Sequence, residues 1–162
     1  MSAEPPTISD HGLIGDLRSA ALVAIDGTID WFCPRRFDAP SVFGALLDSE
    51  RGGHWRIAPE DGHSRTAQFY IPDTNVLITR FMNPRGVVEL QDFMPVGGHQ
   101  RLVRRLVCVR GRVKVRSELA PRFDYGRAEH HTRRHQQRIV LGDGELKLTL
   151  LAGAELHTDQ GD

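Results

Sequence analysis

The stretch Val113-Lys114-Val115-Arg116-Ser117-Glu118-Leu119 decides the class of fold, because apolar and polar side chains alternate along it. A period of two residues places the apolar side chains on one face and predicts a half-buried β-strand. Residues 146–150 repeat the pattern, with three leucines separated by a lysine and a threonine. We therefore expect strands to form the core of this protein.

Working outward, residues 76–81, 87–93 and 102–109 are rich in β-branched and apolar side chains, and turn-forming residues separate them. Residues 22–33 predict a hairpin with Asp26-Gly27 in a type I′ turn. Only residues 40–49 have apolar side chains at helical spacing, which predicts one short helix. The pattern as a whole predicts an all-β fold, an antiparallel β-sandwich with one short helix.

Length and composition bound the class of protein. The 162 residues suit one domain, and 40% hydrophobic with 26% charged residues describe a chain that can build a packed core. Lys plus Arg number 21 and Asp plus Glu number 21, so the formal net charge is zero. That balance provides no long-range attraction to nucleic acid or to an anionic membrane, and we expect neither as a partner.

The two ends of the chain bear on location and completeness. The start has no basic stretch followed by an apolar one, and the longest apolar run, residues 20–25, is too short to cross a bilayer. These patterns predict a cytoplasmic protein. The strand pattern over residues 146–151 is followed by Gly153 and by Asp-Gln-Gly-Asp at 159–162, which predicts that the single domain over residues 1–162 is cut short at its C-terminus.

Residues 31–38 hold the side chains that a sugar site needs. Trp31 and Phe37 offer rings for the apolar face of a pyranose, while Arg36 and Asp38 offer charge-assisted hydrogen bonds to its hydroxyls. The same residues also fit a structural corner, in which Arg36 pairs with Asp38 and Trp31 is buried. Residue types alone leave both interpretations open.

Other polar groups predict no chemistry. His131 and His135 have the spacing of metal ligands on a helix, but a strand sets them too far apart, and Arg133 and Arg134 repel a cation. The basic tract over residues 133–138 lacks interleaved aromatic residues and predicts a solvated face. No phosphate loop or dinucleotide fingerprint is present, so no cofactor is predicted.

Cysteines predicted to be buried are Cys33 and Cys108, and carboxylates predicted to be on the surface are Glu50, Glu60, Glu89, Glu118 and Glu129.

Several ordered motifs resemble the amino-terminal domain of bacterial glycoside hydrolase family 15, the glucoamylase and trehalase group. The family's Gly-Leu-Ile-Gly-Asp-x-Arg-Ser-Ala-Ala-Leu-Val run stands at residues 12–23. Its Asp-Gly-Ser-Ile-Asp-Trp motif stands at 26–31, with Thr28 for serine, and its Arg-Phe-Asp-Ser-Pro-Ser-Val-Phe motif stands at 36–43, with Ala39 for serine. Further similar segments are 52–55, 72–77, 92–96 and 120–126. One departure is that Pro34 and Arg35 replace the family's apolar residue and proline before the loop arginine.

The resemblance implies a supersandwich-like β-sandwich that precedes a catalytic (α/α)6 barrel in the same polypeptide. Two glutamates of the barrel would cleave an α-glucoside with inversion, one as acid and one as the base that activates water. These 162 residues do not include the barrel, so no catalytic residue is assigned and the chain alone is predicted to be inactive. Its implied role is accessory: to pack on the barrel and to lend Trp31, Arg36, Phe37 and Asp38 to the active-site rim or interdomain surface. The alternative is a free-standing, non-catalytic β-sandwich that binds carbohydrate or a protein partner.

Overall fold

The computed structural model of the chain describes residues 7–62, 64–135, 137–155 and 157; the closing run over 159–162 lies outside them. Within these residues the predicted all-β fold is confirmed, and all strand pairs are antiparallel. The strands are β1 (His11–Gly15), β2 (Ala20–Ala24), β3 (Thr28–Phe32), β4 (His54–Pro59), β5 (Arg65–Tyr70), β6 (Leu77–Asn83), β7 (Gly86–Phe93), β8 (Val103–Gly111), β9 (Val115–Ala120), β10 (His131–His135), β11 (Arg138–Gly142) and β12 (Lys147–Leu151). They form three sheets, ordered β1-β2-β3-β4-β9, β5-β6-β7-β8 and β10-β11-β12.

The two larger sheets face each other across an apolar layer. Phe81, Val88 and Leu90 of the four-stranded sheet pack with Ile57 and Ala58 of β4, and all five are buried. Residues on alternate positions of β6 and β7 point inward, as the period of two predicts. The sandwich is therefore held together by inward-facing side chains from both sheets.

The hairpin predicted over residues 22–33 is confirmed as β2 and β3, but its turn differs from the prediction. A type I′ turn needs a positive φ at both central residues, and here only Gly27 has one, at 85°. The Gly27 N–H donates to the carbonyl oxygen of Ala24 at 2.9 Å. A side chain at Gly27 would collide with the carbonyl oxygen of Ile57, so the turn packs directly against β4.

A buried ion pair ties the four-stranded sheet to the five-stranded sheet. The side chains of Arg104 and Asp92 are both 0% exposed, and Arg104 Nε donates to Asp92 Oδ1 at 2.9 Å. Its Nη1 donates to the carbonyl oxygen of Trp55, and its Nη2 donates to that of Gly27 at 2.7 Å. Burial raises the pKa of the Asp92 carboxyl, and the Arg104 guanidinium opposes that rise.

The three-stranded sheet covers one end of the main core. Ile139 and Leu141 of β11 are buried in the cluster that contains Ile14 and Phe32 of the five-stranded sheet. β10 is exposed along its whole length. A five-residue strand separates its two terminal histidines by roughly 13 Å. Among the described residues, no three His, Cys, Asp or Glu side chains are grouped so as to hold a metal ion, and none of the helices is long and apolar enough to span a membrane.

The short helix predicted over residues 40–49 is wrong. The Phe32 N–H donates to the carbonyl oxygen of Phe43 at 3.0 Å, so this segment bridges to the end of β3. The N–H groups of Leu47 and Asp48 both donate to the carbonyl oxygen of Gly44, which forms a single turn and not a helix. Leu47 is 73% exposed, so the apolar side chains do not share one buried face. The single short α-helix of the described residues is α1, Phe123–Gly126.

Two predictions about single side chains are also wrong. Cys33 is buried as predicted, but Cys108 is exposed, because it lies on β8 at the edge of the four-stranded sheet. Four of the five carboxylates predicted to lie on the surface are exposed. The exception is Glu89, whose side chain is 15% exposed because it pairs with Arg80 across β6 and β7.

Candidate functional site

The candidate site is built around the loop over residues 34–40, which follows β3 and is called here the 34–40 loop. Arg36, Phe37 and Asp38 are exposed at its tip. With Arg35 and with Arg18 of the β1–β2 turn, they line an open concavity of about 500 Å³. Trp31 does not line it, because it is a half-buried residue of β3 and not part of the loop.

The first half of the loop is held by hydrogen bonds from distant segments. Arg35 has a φ of 72°, a left-handed conformation that costs energy for a residue with a side chain. Its N–H donates to Gln100 Oε1 at 2.5 Å, and its Nη2 donates to the carbonyl oxygen of Glu145 at 2.9 Å. Gln100 Nε2 in turn donates to Asp16 Oδ2 at 3.1 Å. The strained backbone is therefore fixed from two sides.

Asp16 organises the β1–β2 turn, which contributes Arg18 to the same concavity. Its Oδ1 accepts from the N–H of Arg18 at 3.0 Å and from that of Ser19 at 2.9 Å. Burial raises the pKa of the Asp16 carboxyl, but these bonds and that from Gln100 outweigh burial, so the pKa is lowered overall. The Ser19 hydroxyl donates to the carbonyl oxygen of Cys33, which joins the turn to the start of the 34–40 loop.

The second half of the loop is held by α1. The Tyr125 N–H donates to the carbonyl oxygen of Ser41 at 3.2 Å, and the Tyr125 hydroxyl donates to that of Ala39 at 3.4 Å. Asp124 and Tyr125 have positive φ values of 49° and 57°. Thus left-handed residues other than glycine support both ends of the loop, a feature that clusters at functional sites.

The tip of the loop is a bidentate ion pair that flanks an aromatic ring. Arg36 Nε donates to Asp38 Oδ1 at 2.8 Å, and Arg36 Nη2 donates to Asp38 Oδ2 at 3.1 Å. Their side chains are 75% and 71% exposed, and Phe37 between them is 63% exposed. Hydrogen bonding to Arg36 lowers the pKa of Asp38. Arg36 and Asp38 therefore pair as the structural-corner interpretation expects, while a link of either residue to substrate stays a prediction.

The concavity presents one aromatic ring, three arginines and one carboxylate, groups that suit contacts to a sugar or to a protein surface. Asp38 is the one carboxylate that lines the concavity, and Arg36 neutralises it. A general acid needs a raised pKa, whereas the pKa of Asp38 is lowered. Glycoside hydrolysis also needs a second carboxylate on the other side of the scissile bond.

Sequence reasoning found the tip of the loop but missed its supports. The sequence does not single out Asp16, Arg18 or Gln100 as site residues, and it shows Arg35 as a loop residue that departs from the family motif. Gln100 bonds to residues 65 and 84 positions away in the chain, which no local pattern can reveal. The unusual Arg35 before the loop arginine was the one available signal.

The fold and the site together define a class: an all-β domain that presents a braced, aromatic-tipped loop. The chain belongs to the trehalase-like N-terminal domain family, whose model matches residues 1–158. This assignment confirms the resemblance carried by the ordered motifs.

The curated relatives are trehalases. The trehalase of Thermoplasma volcanium is 37% identical over 128 residues, a match that covers 75% of this chain and 20% of the relative. The trehalases of Mycolicibacterium smegmatis and Mycobacterium tuberculosis are 32% and 30% identical over 143 and 142 residues, and each match covers 75% of this chain and 21% of the relative. The chain therefore spans about a fifth of the length of these relatives. No solved structure matches the chain significantly.

Proposed function

We propose that the chain is the accessory amino-terminal domain of an inverting α-glucoside hydrolase of the trehalase type. In this proposal it packs on a catalytic barrel of the same polypeptide through the 34–40 loop. The matched trehalases are about five times as long as the stretch they share with this chain, which supports a catalytic part elsewhere in the polypeptide. Trehalose is favoured over the substrates of glucoamylases because the named relatives are trehalases.

The observation that carries the proposal is the exposed Phe37 on a loop held at both ends. The Phe37 side chain is 63% exposed, so the described residues leave most of its apolar area uncovered. Hydrogen bonds to Arg35 and Ala39 hold the loop in one conformation, so docking it against a partner loses little conformational entropy. Such rigid aromatic side chains are common anchors of protein interfaces.

Arg36 and Asp38 add polar contacts on either side of that anchor. Because they already hold each other in a bidentate pair, their remaining donors and acceptors point in fixed directions. From the interface they would bond to substrate hydroxyls or to barrel loops that do so. The proposal therefore gives Phe37 a docking role and gives the ion pair a role at the rim of the active site.

The test replaces Arg36 or Asp38 by alanine in the polypeptide encoded by the complete reading frame. We expect Arg36→Ala and Asp38→Ala to lower kcat/KM for trehalose by about 10- to 100-fold, the value of one charge-assisted hydrogen bond. The melting temperature should stay unchanged, because both side chains are largely exposed. Arg56→Ala is the matched control, since it breaks an exposed pair with Asp26 outside the loop.

Two outcomes would contradict the proposal. A lowered melting temperature with unchanged kinetics would leave the 34–40 loop a structural corner. A complete reading frame that ends at residue 162 would favour the alternative, a free-standing sandwich that binds carbohydrate or a protein partner.

The proposed enzyme is cytoplasmic. Cys33 and Cys108 are both free thiols, and Cys108 is exposed. An exposed free thiol suits a reducing compartment.

A further inference from the structure

β8 is an edge strand whose inward-facing side chains are only partly covered. It pairs with β7 and, among the described residues, with no strand on its other side. Residues opposite each other in an antiparallel pair project to the same face of the sheet. The register sets Arg104, Leu106 and Cys108 of β8 opposite the buried β7 residues Asp92, Leu90 and Val88. These three side chains of β8 therefore belong to the inner face of the sandwich.

The cover over this inner row ends partway along the strand. The Arg104 side chain is 0% exposed because it reaches the carbonyl oxygen of Trp55 in β4. Two residues further on, Leu106 is 45% exposed, and Cys108 is exposed as well. An exposed leucine on the solvent face of a sheet is ordinary, but here the face is the one that packs the core. The row thus forms an uncovered apolar surface beside an unpaired strand edge.

The charges around this edge are all of one sign. Arg105, Arg110 and Arg112 lie on or directly after β8, and residues 103–112 contain no acidic side chain. None of the ion pairs found among the described residues involves these three arginines. Like charges on an edge discourage pairing with an arbitrary strand, and they select a partner that carries carboxylates.

We propose that an extended segment from the rest of the enzyme polypeptide adds to β8 as a further strand, with apolar side chains over Leu106 and Cys108 and carboxylates facing the flanking arginines. The inference rests on the proposed function for the source of the segment. The matched trehalases have about four fifths of their length outside the shared stretch, which is ample chain to supply one strand. Main-chain hydrogen bonds to β8 would provide affinity, and the apolar row and the arginines would set the register.

The Cys108 thiol is the probe. In the 162-residue chain, Cys108 should react with 5,5′-dithiobis(2-nitrobenzoate) while Cys33, which is 2% exposed, stays protected. In the polypeptide from the complete reading frame, we expect Cys108 to react at least about 100-fold more slowly, because labelling then requires the added strand to open. Equal rates in the two proteins would overturn the inference.

Two substitutions on adjacent positions of β8 test which face is covered. Leu106→Lys places a charge on the inner face and should restore fast labelling of Cys108 in the complete polypeptide. Val107→Lys is the matched control, because Val107 projects to the opposite face beside Glu89, and it should leave Cys108 protected. If Leu106→Lys and Val107→Lys restore fast labelling of Cys108 equally, the added segment does not contact the inner face and the inference is contradicted. Protection of Cys108 in the 162-residue chain that grows with its concentration would also overturn the inference, because the occupant would then be a second copy.

The labelling result is independent of the hydrolase activity. A protected Cys108 in a polypeptide that cleaves no α-glucoside would uphold strand addition and refute the proposed function. An active trehalase in which Cys108 reacts freely would uphold the proposed function and refute strand addition.

Discussion

The buried Asp92–Arg104 pair should be the side-chain interaction to which stability is most sensitive. Both side chains are 0% exposed, and Arg104 bonds to Asp92 and to the backbone of Trp55 and Gly27. Arg104→Met leaves the Asp92 carboxylate without its cation in a site that water does not reach. Removing one member of a buried ion pair typically costs about 3–5 kcal/mol. For a domain of this length, that loss lowers the melting temperature by roughly 6–20 °C.

The substitution at the other end of the pair should cost less. Asp92→Asn keeps one oxygen that can accept from Arg104, and the guanidinium keeps its two backbone carbonyl partners. We therefore expect the free energy of unfolding to fall in the order wild type, Asp92→Asn, Arg104→Met. Arg104 also lies 5.1 Å over the Trp55 ring, so loss of that contact adds to the effect of Arg104→Met.

Urea unfolding of the 162-residue chain, followed by tryptophan fluorescence, measures these differences. Arg56→Met is the control, because its pair with Asp26 is about half exposed and should contribute about 0–1 kcal/mol. The double variant Asp92→Leu with Arg104→Met replaces both charges by apolar groups. It should recover at least about 2 kcal/mol relative to the summed losses of the single variants Asp92→Leu and Arg104→Met. A loss below about 1 kcal/mol for Arg104→Met, or strictly additive losses, would refute the reasoning.

Two further predictions concern catalysis and pH. The 162-residue chain should release no glucose from trehalose, maltose or starch above a buffer blank, because the concavity holds one neutralised carboxylate. Reproducible turnover that is abolished by a substitution within the chain would contradict this prediction. The pKa of Asp16 is lowered in the folded protein, so its contribution to stability is present above the unfolded pKa of about 3.9 and is lost as the pH falls through the folded pKa. The free energy of unfolding, measured between pH 3 and 7, should therefore fall less at acid pH for Asp16→Asn than for wild type. If the two free energies fall in parallel with pH, Asp16 does not carry this effect.

The sequence by itself predicts which segments are strands and which family the chain belongs to. Alternation over residues 113–119 and 146–150 depends on neighbours two positions apart, so it can be interpreted without a fold, and β9 and β12 lie there. The ordered motifs likewise indicate the family, because each is a contiguous run of residues. The tip of the 34–40 loop was predictable for the same reason, since Arg36 and Asp38 are two residues apart and pair.

The tertiary structure alone decides what depends on distant partners. Residues 40–49 have helical spacing, yet a hydrogen bond from Phe32 to Phe43 draws the segment into a bridge with the end of β3. Arg35 adopts a left-handed conformation because Gln100 and Glu145, which lie 65 and 110 residues away, hold it there. Cys108 has an apolar sequence context but is exposed, because burial depends on whether another strand lies beyond β8. Local periodicity sets the direction in which a side chain points, whereas only the packed fold determines what it meets there.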